Sequence, residues 1–160
     1  MVDIVRESIA LELNVSEIYL LFHHLFPDDE EFWMQLVLEE RNHAELLRYG
    51  LNYYEPHGRF PQKLLCSKLS ILQTVNKDLS RMIENYQSSP PSRIVAFNTA
   101  LYLERSAGEL HYQEFMTGEA VTASEEVFME LNSADMDHEK RIRSYMEQNF
   151  IPERSGEVRH

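Results

Sequence analysis

Apolar residues recur at alternating steps of three and four along most of the chain, which is the spacing of helices that bury one face. Prolines, glycines and helix-capping residues interrupt this spacing. The pattern predicts helices at roughly 3–25, 29–49, 63–87, 92–117 and 124–148. Gly50 is expected to cap the second of them. The polar residues 151–160 are expected to form a disordered tail.

The lengths of the connections indicate how these helices are arranged. Short connections join the first helix to the second and the fourth to the fifth, so each pair is expected to be antiparallel. The helix at 63–87 lies in the long crossover between the pairs. The sequence therefore predicts an all-α fold, a four-helix bundle made of two antiparallel helix pairs. One domain would span 1–150, with the crossover contributing an additional helix.

The two halves of the chain are related in sequence. LELNVSEIY at 11–19 aligns with LERSAGELH at 103–111, and EEFWMQLVLEERNH at 30–43 aligns with EEVFMELNSADMDH at 125–138. The alignment matches acids and histidines between the halves: Glu12 with Glu104, Glu40 with Asp135, and His43 with His138. An internal duplication explains this match better than chance does.

Acids and histidines occupy core-facing positions where the predicted bundle would otherwise bury apolar side chains. They are Glu12 on the first helix, Glu40 and His43 on the second, Glu104 on the fourth, and Asp135 and His138 on the fifth. Carboxylates converging on one core repel each other and lose hydration, so they need protons, partners or metal ions. Lys and Arg are absent from these mid-seam positions. Two divalent cations would balance the charge, each bound by one imidazole, which predicts a two-metal site.

The composition narrows the classes of partner. The chain has 15 basic and 27 acidic residues and a net charge of −12, which disfavours binding to nucleic acid and to anionic membrane surfaces. No apolar run approaches the roughly 18 residues of a membrane span, and no export signal is expected at the N-terminus. Cys66 is the only cysteine, so an internal disulfide is excluded and a reducing cytoplasm fits best.

In each half a carboxylate precedes a histidine by three residues, as Glu40 precedes His43. This repeated spacing resembles the ligand pattern of the ferritin-like superfamily. The sequence is most similar to rubrerythrin-type and bacterial ferritin-like di-iron carboxylate domains. This resemblance covers about 3–148, almost the whole folded chain.

The resemblance implies that Glu12, Glu40, His43, Glu104, Asp135 and His138 are the metal ligands and the catalytic residues. Their cofactor would be two iron ions, with manganese or a mixed iron–manganese pair as alternatives, because carboxylate-rich ligation suits these ions better than zinc. The implied activity is that of an oxidoreductase, which oxidises Fe²⁺ or reduces hydrogen peroxide or dioxygen. The cysteine-rich rubredoxin module is absent, so an external electron donor is expected.

Two departures from the family pattern keep other functions open. Asp135 stands where the family usually has glutamate, and its shorter side chain would hold one metal less firmly. Ala107 replaces a further glutamate of rubrerythrins, which puts their redox-linked ligand exchange in doubt. The alternatives are a non-catalytic ferritin-like metal-binding or structural module and an iron-storage subunit. A homodimer is the expected assembly.

Two further residues are candidates for supporting the site. Tyr19 and His111 occupy matching positions two turns after Glu12 and Glu104. Tyr19 could hydrogen-bond a ligand carboxylate, or it could be an ordinary core tyrosine. His111 could support the site in the same way, serve as an extra ligand or proton relay, or simply pack in the core.

Overall fold

The computed structural model of the protein describes residues 2–53, 55–57, 68–112 and 138–154, with side chains to residue 106 in the third range. Four helices lie in these ranges: α1 Val2–Leu25, α2 Glu30–Tyr53, α3 Leu69–Ser88 and α4 Arg93–Tyr112. The chain is helical again at 138–148, which we label α5. The described residues contain no strand, so the all-α prediction is confirmed. No helix among them is both long and apolar enough to cross a membrane.

The second helix is longer than its sequence pattern suggested. It continues through Gly50 to Tyr53, so the prediction that Gly50 caps this helix is wrong. Gly50 is buried within the helix. The rings of Tyr49 and Tyr53, one turn apart, stack at a centroid distance of 5.4 Å and support the extra turn.

The crossover helix begins later in the sequence than predicted. Lys68 has an extended backbone, with φ −125° and ψ 101°, and α3 begins at Leu69. The predicted start at 63 is therefore wrong, and residues 63–67 lie outside the described residues together with Cys66. The helix then continues to Ser88, immediately before the Pro90–Pro91 break.

Contacts along α1 and α2 show that these helices are antiparallel. Near the turn that joins them, the ring of Phe22 meets Trp33 at 5.0 Å. At least one turn further from the connection on both helices, the hydroxyl of Ser16 donates to the carbonyl of Val37. The short connection contains a 3-10 turn, Pro27–Asp29.

The helices α4 and α5 are also antiparallel. Phe97, near the start of α4, stacks on Tyr145 near the end of α5 at 5.5 Å. Arg105, more than two turns later in α4, pairs with Glu139 at the other end of α5 at 2.9 Å.

Helix α3 packs on α1 and adds apolar side chains to the same core. Leu72 and Leu79 belong to the buried cluster. Between them, the buried amide of Asn76 donates to the carbonyl of Glu7 at 2.8 Å and accepts a hydrogen bond from Asn14 at 3.0 Å. These paired polar groups fix the position of α3 along α1, because leaving either unpaired in the core would be unfavourable.

An ion pair and a tyrosine join three elements near the α1–α2 turn. Arg93 at the start of α4 donates twice to the buried carboxylate of Asp29, both times at 2.7 Å. The hydroxyl of Tyr145 on α5 donates to the same carboxylate at 2.9 Å.

Candidate metal centre

All the predicted ligands within the described residues lie together in the core. Glu12 comes from α1, Glu40 and His43 from α2, Glu104 from α4, and His138 from the first described turn of α5. Glu12, Glu40, His43 and His138 are 5%, 3%, 3% and 1% exposed, and Glu104 is partly buried. The remaining predicted ligand, Asp135, lies outside the described residues.

These side chains form two groups with one shared member, Glu40. Glu12, Glu40 and His43 bring one possible ligand atom each to within 4.8 Å of one another, and so do Glu40, Glu104 and His138. Oε2 of Glu40 lies 3.3 Å from Nδ1 of His43, whereas Oε1 lies 3.0 Å from Nδ1 of His138. The two oxygens of one carboxylate therefore serve different groups, as in a carboxylate that bridges two ions.

The imidazoles present the same ring atom to the two groups. The rings of His43 and His138 are 5.5 Å apart and inclined by 17°. Nδ1 of His43 lies 3.7 Å from Oε2 of Glu12, and Nδ1 of His138 lies 3.4 Å from Oε2 of Glu104. The halves related by the sequence duplication thus contribute equivalent atoms.

The ring nitrogens of His138 lie close to three carboxylates, those of Glu39, Glu40 and Glu104. Although carboxylate oxygens lie within 3.0–3.4 Å of Nδ1, no acceptor among the described residues is aligned for a hydrogen bond from either ring nitrogen. Such alignment is the norm for buried polar atoms. Ligand atoms this close together without an aligned hydrogen bond are compatible with an ion between them. Oxygen-rich donors with one imidazole per group are a set that suits iron or manganese.

Comparisons with protein-family models, with curated proteins and with solved structures found no match. The chemistry of this centre is therefore inferred from its own geometry.

The electrostatics of the metal-free protein give His138 a positive charge. Burial lowers the pKa of its imidazole, but the carboxylates of Glu104, Glu39 and Glu40 outweigh burial and raise the pKa to about 12. The imidazolium offsets part of the negative charge of the buried acids. Because a metal ion binds neutral imidazole, it would have to displace this proton.

Glu39 supports the site and was missed by the sequence analysis. Its Oε2 lies 3.0 Å from Nε2 of His138, on the side of the ring opposite Glu40. Both terminal nitrogens of Arg141 donate to the Glu39 carboxylate. Burial raises the pKa of Glu39, but His138 and Arg141 together lower it to about 2. Glu39 thus pairs electrostatically with the ring at Nε2 while Nδ1 faces Glu40 and Glu104, an arrangement similar to that of outer carboxylates beside metal-binding histidines.

The position of Glu39 explains why the seam pattern did not identify it. Consecutive residues of a helix differ by about 100° in direction, so Glu39 lies on the flank of α2 when Glu40 faces the core. Flanking residues of adjacent helices often form ion pairs in bundles. The opposite charges of Glu39 and Arg141 on these flanks were the available signal.

Tyr19 contacts a predicted ligand. It is fully buried, and its hydroxyl donates to Oε1 of Glu104. This hydrogen bond leaves the other carboxylate oxygen, Oε2, facing His138. The side chains of His111 and Ala107, at the corresponding level of α4, lie outside the described residues.

Proposed function

We propose that this protein is a ferritin-like bundle that holds two ions of iron or manganese and oxidises Fe²⁺ or reduces hydrogen peroxide or dioxygen. One observation carries the proposal. Glu40 directs its two oxygens to two different groups of buried carboxylate and imidazole, one from each duplicated half.

The residues divide between two metal positions. Glu12 and His43 would bind one ion, Glu104 and His138 would bind the other, and Glu40 would bridge them. Asp135 is expected to complete the set as the counterpart of Glu40. Four carboxylates then match the charge of two divalent ions. A bound pair of Fe²⁺ ions supplies two electrons at one place, which is the number that reduces peroxide to water.

The protein contributes position and protection. The ligands are buried, so bulk water is excluded and each charge interaction is stronger than it would be at the surface. Tyr19 fixes Glu104, and Glu39 fixes the ring of His138. These contacts hold the ligand atoms in place before a metal ion binds. An external electron donor is expected to complete the cycle.

Metal analysis tests the proposal directly. Wild-type protein purified after growth with iron should contain up to two ions per chain, and both Glu40→Ala and His138→Ala should lose metal. Glu45→Ala is the matched control, because Glu45 lies on the same helix but its side chain is 65% exposed. The loaded wild type should also consume hydrogen peroxide. Wild-type protein that takes up neither iron nor manganese would overturn the proposal.

A second function has a specific observation in its favour. The imidazolium of His138 and the guanidinium of Arg141 already offset part of the acidic charge without metal. Such a core suits a non-catalytic ferritin-like module, whose role is structural or limited to binding metal. Thermal unfolding with and without Mn²⁺ separates the cases, because a ligand at 100 times its Kd stabilises the native state by about 2.7 kcal/mol. Stabilisation without peroxide consumption would favour the module.

The two remaining expectations concern assembly. An iron-storage subunit would form a large shell, whereas a ferroxidase or peroxidase of this size is expected to be a homodimer. Size-exclusion chromatography distinguishes these assemblies. If the protein forms a shell, the oxidation of Fe²⁺ at this site would serve iron storage.

A further inference from the structure

Two buried serines flank the candidate ligand Glu12 along one face of α1. Ser8 lies one turn before Glu12 and Ser16 lies one turn after it, because residues four apart share a helix face. Ser8 is 0% exposed and Ser16 is 1% exposed. Both hydroxyls therefore lie in the core, on either side of the same carboxylate residue.

The hydroxyl of Ser16 has partners in the neighbouring helix. It donates to the carbonyl of Val37 at 3.4 Å and accepts from Nε of Arg41 at 3.2 Å. Ser16 thus has a structural role, which is to join α1 to α2.

The hydroxyl of Ser8 differs, because no described residue forms a hydrogen bond with it. Its own helix offers an acceptor, the carbonyl of Ile4, which is the usual partner of a serine within a helix. Four other hydroxyls of the protein donate to the carbonyl four residues earlier, those of Thr74, Ser80, Ser88 and Ser106. The hydroxyl of Ser8 is instead turned away from the carbonyl of its own helix.

A buried hydroxyl without a partner is unfavourable, because folding removes it from water and returns no hydrogen bond. Alanine would occupy position 8 without this cost and is the better helix former. An unpaired hydroxyl at this depth therefore suits a residue whose partner is a bound molecule.

The packing of α1 on α2 places Ser8 beside the candidate ligands. Nδ1 of His43 lies 3.7 Å from Oε2 of Glu12. Because the helices are antiparallel, the core-facing residues of α2 opposite Ser8 are the next along that helix, Ala44 and Leu47, which are both buried. Ser8 and Ala44 have small side chains, so two facing positions within a turn of the ligands carry little side-chain volume.

We propose that Ser8 binds hydrogen peroxide beside the metal centre through a hydrogen bond between its hydroxyl and one peroxide oxygen. This inference rests on the proposed function and selects one of its oxidants. A serine hydroxyl donates and accepts hydrogen bonds, and hydrogen peroxide does the same. Dioxygen has no hydrogen to donate and is a poor acceptor. The role of Ser8 is binding alone, and neither a proton nor an electron passes through it.

Thermal unfolding of the metal-free protein tests the state of the hydroxyl without requiring the proposed function. Ser8→Ala removes the unpaired group and should raise the melting midpoint by about 2–4 °C. Ser16→Ala is the matched control, because it removes a hydroxyl that has protein partners, and its midpoint should lie several degrees below that of Ser8→Ala. Both variants gain the helix propensity of alanine, so the difference between them reports hydrogen bonding. Equal midpoints, or a midpoint of Ser8→Ala below that of wild type, would overturn the proposal.

Azide binding to the iron-loaded protein tests the site itself. Azide is a small anion that binds ferric iron and accepts hydrogen bonds, and its absorption band with ferric iron reports the affinity. Ser8→Ala should bind azide roughly 10-fold more weakly at unchanged iron content, since it loses one hydrogen bond to a charged group. Ser16→Ala should retain the wild-type affinity.

Peroxide consumption provides the last measurement. Ser8→Ala should raise KM for hydrogen peroxide severalfold, and by a larger factor than it lowers kcat, because the lost contact is one of binding. Ser16→Ala should retain the wild-type KM. Wild type that binds no iron would contradict the proposed function and, with it, this site. Normal iron binding with unchanged azide affinity and unchanged KM in Ser8→Ala would contradict the role of Ser8 alone.

Discussion

Replacing Glu39 by glutamine tests whether its charge, and not only its shape, supports the site. The substitution keeps the size of the side chain and an oxygen that can accept from His138. It removes the negative charge that pairs with both His138 and Arg141. The metal-free protein is the appropriate state for this test, because it isolates the contribution of these ion pairs from that of bound metal.

The expected loss of stability follows from the pKa of Glu39. A pKa lowered from 4.5 to about 2 corresponds to about 3 kcal/mol of extra stabilisation of the carboxylate in the native state, since each tenfold change is about 1.4 kcal/mol. The Glu39 side chain is 29% exposed, and glutamine retains part of the hydrogen bonding. We therefore expect Glu39→Gln to lower the free energy of unfolding by about 1–2 kcal/mol near neutral pH.

The pH dependence has a defined sign. Because the pKa of Glu39 is lower in the native state, its contribution is present above pH 4.5 and is lost as the pH falls towards about 2. Urea unfolding should show a large difference between wild type and Glu39→Gln at about pH 7 and a smaller one at about pH 3. Glu45→Gln, which removes the exposed Glu45–Arg48 pair on the same helix, should cost roughly 0.5 kcal/mol or less. Equal stability of Glu39→Gln and wild type at neutral pH would refute this reasoning.

Three further substitutions or titrations probe other parts of the molecule. Arg93→Met leaves the buried carboxylate of Asp29 without its cation. Because Arg93 is itself 37% exposed, water screens part of this pair, and we expect the free energy of unfolding, measured in urea, to fall by about 2–3 kcal/mol. Phe150 has a left-handed backbone with φ 55°, and its side chain is 94% exposed. Glycine adopts this backbone at a lower free-energy cost, so Phe150→Gly should raise the free energy of unfolding by about 1 kcal/mol. Phe150→Ala should raise it less. His138 has its pKa raised from 6.5 to about 12, so its contribution to metal-free stability is complete below pH 6.5 and is lost as pH rises through 12. Mn²⁺ binding at about pH 8 should release this proton, which calorimetry in buffers of different ionisation enthalpy measures.

The acids of the candidate site were identified in the sequence from helical periodicity. Glu12, Glu40 and Glu104 were identified because each interrupts an apolar stripe at a core-facing position, and the structure brings them together. Burial decides such positions, and burial is periodic along a helix. Their role as ligands is still a prediction.

Features that depend on neighbours in space were not predictable in this way. Gly50 carries a local signal for a helix end, but packing and the Tyr49–Tyr53 stack extend α2 past it. The pairing of Asp29 with Arg93 joins residues from separate elements, and neither shows its partner in the sequence. Local patterns therefore determined which faces are buried, whereas tertiary contacts determined helix ends and charge partners.

The duplication predicts two equivalent metal positions, but the sequence differs between the halves at the residues that pair around His138. Glu39 holds Nε2 of His138 across the α2–α5 contact. The residue that corresponds to Glu39 in the other half is Ala134, and the residue that corresponds to Arg141 is Leu46. Alanine cannot supply a carboxylate to His43. The pair that Glu39 and Arg141 form beside His138 therefore has no counterpart at the aligned positions of the other half.

The contact of Glu39 with His138 predicts that removing the Glu39 carboxylate affects the two metal positions unequally. Loss of an outer carboxylate typically weakens metal binding by about 10–100-fold. Because Glu39 lies 3.0 Å from the imidazole of His138, Glu39→Gln should weaken the Mn²⁺ binding step at His138 by about this factor and change the other step much less. Titration calorimetry resolves the steps, and Glu45→Gln serves again as the control. Equal weakening of both steps would show that Glu39 acts on the charge of the whole core and not on His138 in particular.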